Sequence, residues 1–294
     1  LPPELGSLSN LDFLDLSINQ LSGSLPLSFA GMQKMREFGI SSNNLTGEIP
    51  GRLFTSWPEL ISFQVQNNSL QGRIPPELGK VTKIRFLYLF SNNLTGELPR
   101  SLGSWARFNF IDVSTNLLSG PIPPDMCKQG TMLKLLMLEN NFSGGIPETY
   151  ASCKTLVRFR VSNNSLSGEV PEGLWALPNV NVLDLAGNQF SGSIGDGIGN
   201  AAAMTNLLLA GNQFSGAVPP SIGDAASLEP APLPQAVIDG HGDDRNAEAV
   251  GDVDDGQRQR QGIRSPRQAD DEGGRHPGLV DECAQALAYR ERAG

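Results

Sequence analysis

The residues of this sequence best equipped to hold a ligand are two arginines one residue apart, Arg158-Phe159-Arg160, with Lys134 placed 24 residues before the first of them. On an extended strand, residues i and i+2 share a face and stand ~6.6 Å apart. Two planar guanidinium forks so placed can close on a single carboxylate through charge-assisted hydrogen bonds. Asp184 follows Arg160 by the same 24 residues. An ion pair between neighbouring strands is therefore an alternative use of that arginine, and the two uses are compatible. Upstream, Phe86, Tyr88, Phe90 and Phe110 fall at positions that share the same face. They form either a contact surface, since aromatic and arginine anchors dominate binding hot spots, or a cover over apolar surface.

Catalytic chemistry is poorly represented, and we expect no catalytic residue, no metal site and no cofactor. Both histidines, His241 and His276, lie in the last quarter of the chain, which excludes a histidine-dependent triad from the first three quarters. Three cysteines are too few for a four-ligand zinc site. The glycine-rich stretch 195–199 lacks the Lys-Ser/Thr of a phosphate loop. The acidic run 252–256 has the wrong spacing for a calcium loop and reads as solvated charge. No kinase signature is present.

Charge and hydropathy remove further classes. The 294 residues carry a net charge of −9, the wrong sign for a chain that neutralises phosphates, so no nucleic-acid partner is expected. No apolar run approaches the ~20 residues of a membrane span. The chain opens at Leu1 on no basic-then-apolar leader. Net charge is −3 over residues 1–228 and −6 over residues 229–294, where every basic residue is Arg. That break near Leu228 predicts two regions: an ordered one, 1–228, and a low-complexity tail, 229–294, too poor in apolar residues to fold, apart from a short helix near 279–292.

The elements that position the arginines follow from an internal repeat. The pattern L-x-x-L-x-L-x-x-N-x-L-S-G-x-I-P recurs, its Asn falling at Asn19, Asn43, Asn68, Asn92, Asn116, Asn140, Asn164, Asn188 and Asn212, in steps of 24 or 25. Leucine pairs two apart, such as Leu87 and Leu89 or Leu183 and Leu185, place one side of a short strand inward. The Asn leaves the strand with an amide that must be satisfied, so stacked Asn side chains form a ladder. The Gly suits a turn of unusual φ, and the Pro stops a helix. One unit cannot bury its own apolar face, whereas stacked units share a continuous core. The expected fold is therefore an α/β repeat solenoid of about nine units. A parallel sheet lines its concave face, and short 3-10 or irregular segments lie on its convex face. Gly195 stands where its unit should have Pro.

Two further sets of residues fall out of the repeat. Sequons occur at Asn44, Asn67, Asn93, Asn141 and Asn163. They are either glycosylation sites of an extracellular protein or a by-product of Asn-rich ladder loops followed by Ser or Thr. Cys127 and Cys153 lie one unit apart on the outer side, either as a disulfide or as two buried thiols. Cys283 has no partner in this scheme.

The L-S/T-G-x-I-P variant resembles the plant-specific leucine-rich repeat of receptor-kinase ectodomains, receptor-like proteins and polygalacturonase-inhibiting proteins. The stretch 102–223 is more similar still to the HAIKU and HAESA group of peptide-receptor kinases, through Gly103-Ser104-Trp105, Ile122-Pro123-Pro124-Asp125-Met126-Cys127-Lys128 and Tyr150-Ala151-Ser152-Cys153-Lys154-Thr155-Leu156. Residues 1–100 resemble plant leucine-rich-repeat receptors in general. The resemblance implies an extracellular module, associated with the plasma membrane in a parent receptor that carries a Ser/Thr kinase and works with a co-receptor leucine-rich-repeat kinase. It implies that Arg158 and Arg160 hold the free C-terminal carboxylate of an extended secreted peptide, with Lys134 adding charge. The peptide would run over Phe86, Tyr88, Phe110, Asp112 and Leu136. Cysteine-flanked caps, about twenty repeats, a membrane helix and a kinase belong to such receptors and are not in this sequence. It starts in mid-repeat, and Glu229-Pro230-Ala231-Pro232-Leu233-Pro234 stands where a tenth strand should begin. That loss of register suggests an altered reading frame. The rival expectations are a kinase-less inhibitor or decoy of the polygalacturonase-inhibitor type and a truncated product without function.

Overall fold

The computed structural model describes residues 1–225. The expectations placed on the tail 229–294, on the helix near 279–292, on the acidic run 252–256, on Cys283 and on both histidines lie outside the described residues.

Each repeat contributes one three-residue strand to a nine-stranded parallel sheet: Phe13–Asp15, Glu37–Gly39, Ser62–Gln64, Phe86–Tyr88, Phe110–Asp112, Lys134–Leu136, Arg158–Arg160, Val182–Asp184 and Asn206–Leu208. Neighbours pair in strict register, so that Phe86 faces Phe110, Lys134 faces Arg158 and Arg160 faces Asp184. The central residue of each strand points into the core: Phe63, Leu87, Ile111, Leu135, Phe159 and Leu183 are all fully buried. Burial of such side chains contributes about 1.5–3 kcal/mol each. Continuity from rung to rung is what makes the solenoid stable, because no unit could enclose them alone.

A second nine-stranded parallel sheet runs beside the first, from Ser22–Gly23 through Asn44–Glu48, Asn93–Glu97 and Ser165–Glu169 to Gln213–Phe214. The sequence reading placed only turns there. The strands form because the residues after the ladder Asn alternate: Leu45, Leu70, Leu94, Leu118 and Phe142 are buried, while the residue on either side faces outward. The consensus Gly lies within or at the end of these strands, or two residues beyond in the case of Gly216, with φ positive in every unit, 75° at Gly96 and 87° at Gly216, a conformation that other L-residues resist. The outer side holds six 3-10 turns and two short α-helices, Gly51–Ser56 and Glu172–Trp175, among the described residues. Each is preceded by Pro except Asp196–Asn200, which follows Gly195. Gly195 takes the same backbone, φ −70° and ψ 142°. Its departure from Pro has a steric cause: a Cβ there would lie within 2.7 Å of Trp175 and of the Glu172 carboxylate.

The asparagine ladder ties the two sheets together. Asn116 Nδ2 donates to the carbonyls of Val113 and Ser114 in its own unit, both at 3.1 Å, and to Leu89 in the unit before at 3.0 Å; its Oδ1 accepts from Leu94 N–H at 3.0 Å. The same scheme recurs at Asn43, Asn92, Asn140, Asn164 and Asn188. The residue before the ladder Asn is left-handed in all nine units, from Glu139 at φ 51° to Gly211 at φ 66°. That conformation turns the chain from one sheet into the next.

Residues 121–133 form no helical turn, and side-chain bonds replace it. Ser104 Oγ donates to Asp125 Oδ2 at 2.6 Å and Gln129 Nε2 to the Ser104 carbonyl at 2.9 Å. The Ser104 hydroxyl and the Lys128 ammonium hold the Asp125 carboxyl below its usual range, against the opposing effect of burial. Tyr150 is fully buried, donates its hydroxyl to the Pro123 carbonyl at 2.7 Å, and has its pKa raised by desolvation. Beside it Cys127 and Cys153, both buried, are joined by a disulfide with Cα atoms 5.9 Å apart. Closing a loop of 26 residues constrains the unfolded chain. Replacing both cysteines with serine should lower the unfolding free energy by about 2–4 kcal/mol in urea titrations. An unchanged midpoint would show that the bond adds nothing to stability.

Candidate functional site

The outward residues of four consecutive rungs lie in two columns: Phe86, Phe110, Lys134 and Arg158 in one, Tyr88, Asp112, Leu136 and Arg160 in the other. Each strand is three residues long, and the left-handed residue follows three residues after its end. Every rung therefore presents two side chains at the same height, and neighbouring rungs stand ~4.8 Å apart. That spacing makes neighbours touch. The rings of Tyr88 and Phe110 stack with centroids 4.6 Å apart, and Lys134 Nζ lies 5.6 Å from the Phe110 centroid, within cation–π range. Phe86, Tyr88, Phe90 and Phe110 are all half-buried.

The two arginines sit in different environments. Arg158 is exposed and makes no ion pair among the described residues. Arg160 Nε donates to Asp184 Oδ2 at 3.2 Å; the Arg160 side chain keeps 27% of its exposure and that of Asp184 only 4%. Asp184 Oδ2 also accepts from Ser162 Oγ at 2.8 Å, and Oδ1 from Ala186 N–H at 3.3 Å. Ser162 was not singled out in the sequence, although its position two residues after Arg160 places it beside the same carboxylate. Asp112 is 8% exposed, and its Oδ1 accepts from Ser114 N–H at 2.9 Å. Leu136 is half-buried between Asp112 and Arg160. The result is a strip that is aromatic at one end and cationic at the other, with one arginine held by an ion pair and one exposed to solvent.

The five sequon asparagines are all exposed and lie along one edge of the solenoid. Asn44, Asn93 and Asn141 open strands of the second sheet, whereas Asn67 and Asn163 occupy the left-handed position before the ladder. No group of three or more metal-ligating side chains occurs among the described residues, and no helix among them is long and apolar enough to cross a membrane.

Repeat length, paired inward leucines, asparagine ladder and parallel sheet together define a leucine-rich-repeat solenoid, and the Leucine Rich Repeat family profile matches residues 10–32, 83–105, 155–177 and 179–201. The chain resembles the leucine-rich-repeat portions of plant peptide-receptor kinases. It is 36% identical to the Arabidopsis receptor kinase HAESA, solved in complex with the peptide hormone IDA and the co-receptor SERK1, over 76% of this chain and 41% of that one, with a TM-score of 0.71. It is 33% identical to the plant peptide hormone receptor RGFR1 in complex with RGF2, over 73% of this chain and 34% of that one, with a TM-score of 0.70. A plant ice-binding protein is 27% identical over 74% of this chain and 70% of that one, with a TM-score of 0.65. The chain thus spans less than half the length of these two receptors. No curated protein matches the sequence.

Proposed function

We propose that residues 1–228 are the ligand-recognition module of a plant leucine-rich-repeat receptor kinase, and that they take an extended secreted peptide along the strip from Phe86 to Arg160. The observation that carries the reading is the cationic end of that strip: an exposed Arg158, in no ion pair among the described residues, beside an Arg160 held in place, with Lys134 in register one rung before. A carboxylate is the group such a fork accepts best, because planar guanidinium and planar carboxylate match in shape and charge. A peptide's own C-terminus supplies one without a particular side chain. The structural likeness to receptors solved with peptide hormones supports a peptide over other acids.

The same reading assigns this segment no catalysis of its own. It places the segment outside the plasma membrane, with glycans at Asn44, Asn67, Asn93, Asn141 and Asn163. It gives the parent chain a kinase and, as in the HAESA complex with SERK1, a co-receptor.

Peptide pools test the proposal. Randomised peptides of roughly ten residues, ~33 Å when extended, would be synthesised as free acids and as C-terminal amides and selected on the immobilised full chain. Enrichment from the free-acid pool alone is the expected result. Equal enrichment from both pools removes the carboxylate from the account, and with it the role of the arginine pair.

A further inference from the structure

We infer that Asp184 is a positioning residue for the carboxylate site: its buried side chain orients the Arg160 guanidinium toward the ligand. The inference rests on the reading just given and deepens it. A free arginine side chain samples many rotamers, and binding must freeze them. Arg160 is already held through Nε at 3.2 Å by a carboxylate that is itself fixed at two further points, Ser162 Oγ at 2.8 Å and Ala186 N–H at 3.3 Å. The Arg160 side chain keeps 27% of its exposure. It is thus held and still reachable from the trough.

The local backbone does not require this arrangement. The column of Asp184 also holds Asp15, Gly39, Gln64, Tyr88, Asp112 and Leu136, so a strand exits with or without an acid there. Asp15 accepts only the backbone bond from Ser17 N–H, at 2.9 Å, and takes part in no ion pair among the described residues. What sets Asp184 apart is the arginine in the rung before it, and Arg158 beside that arginine has no such partner among the described residues. One arm of the fork is pre-set, and the other adjusts to the ligand.

The test measures the ratio of affinities for the free-acid and amidated forms of one peptide enriched on the full chain. Any loss of folded protein lowers both affinities alike and cancels in that ratio. Asp184→Asn keeps the side chain's shape and an acceptor for Ala186 N–H but removes the charge that holds Arg160. We expect the acid-to-amide ratio to fall about tenfold, the effect of losing one well-oriented charge-assisted bond. In an Arg160→Ala background the same substitution should leave the ratio unchanged, since Asp184 acts only through that arginine. A ratio unmoved by Asp184→Asn in the otherwise native chain overturns the inference while leaving the carboxylate site standing. A fall of equal size in the Arg160→Ala background overturns it as well. If the native chain shows no preference for the acid, the carboxylate site itself fails, and the role of Asp184 falls with it.

Discussion

Asn116→Leu should lower the unfolding free energy by roughly 3–5 kcal/mol in urea denaturation, although leucine is nearly isosteric and more apolar. The site is buried, with Asn116 itself 7% exposed. The amide makes four bonds to main-chain groups of two units. Leucine satisfies none of them, and each buried group left unpaired costs about 1–3 kcal/mol, so the polar loss exceeds any apolar gain. Because the bonds join adjacent rungs, the transition should also broaden, as the stack above and below loses coupling. Asn19→Leu is the control. Asn19 is exposed and donates only to the Leu16 and Ser17 carbonyls of its own unit, both at 3.1 Å, and its replacement should cost under about 1 kcal/mol. Equal effects at the two positions would show that the ladder is not what couples the units.

The two arginines should separate under alanine substitution. Arg158→Ala removes an exposed side chain that forms no ion pair among the described residues, so stability should change by less than about 0.5 kcal/mol. Affinity for a free-acid peptide should fall by about 2–5 kcal/mol, the effect of removing one member of a desolvated charge pair. Arg160→Ala should weaken binding and also destabilise the fold. It strands the Asp184 carboxylate at 4% side-chain exposure. Removing one partner of a fully buried pair costs about 3–5 kcal/mol. Ser162 and Ala186 still satisfy the carboxylate, and Arg160 is partly exposed, so about 1–3 kcal/mol is expected here. Calorimetry on the two variants gives both quantities. Equal destabilisation by the two substitutions would contradict the assignment of one arginine to the fold and one to solvent.

The strict 24-residue period made much of this legible in the sequence. Register follows from it directly, which is why Lys134, Arg158 and Val182 could be placed in one column, and Arg160 beside Asp184, before any coordinates were known. The asparagine ladder was legible because a buried amide has to bond something. The second sheet was missed for a physical reason. Its strands are short, the consensus Gly interrupts them, and glycine in a strand reads as a turn. The alternation around Leu45, Leu70 and Leu94 was the available signal. Half-burial of Tyr88 and Phe110 was not legible, because it arises from side chains packing across rungs. Nor could sequence show that Ser162 and Ala186 complete the coordination of Asp184, which depends on where the strand bends. Gly195 looked like a lapse in the pattern until Trp175 was seen to occupy the space a Cβ would need.

The central claim is that a peptide's C-terminus docks on the inner sheet at the arginine rung. A peptide enriched on the full 294-residue chain, carrying a photoactivatable diazirine on its last residue and a free carboxylate, measures this most directly. After irradiation and peptide mapping, the account predicts adducts on the strands Lys134–Leu136, Arg158–Arg160 or Val182–Asp184. Adducts confined to the second sheet or to the outer turns would contradict it.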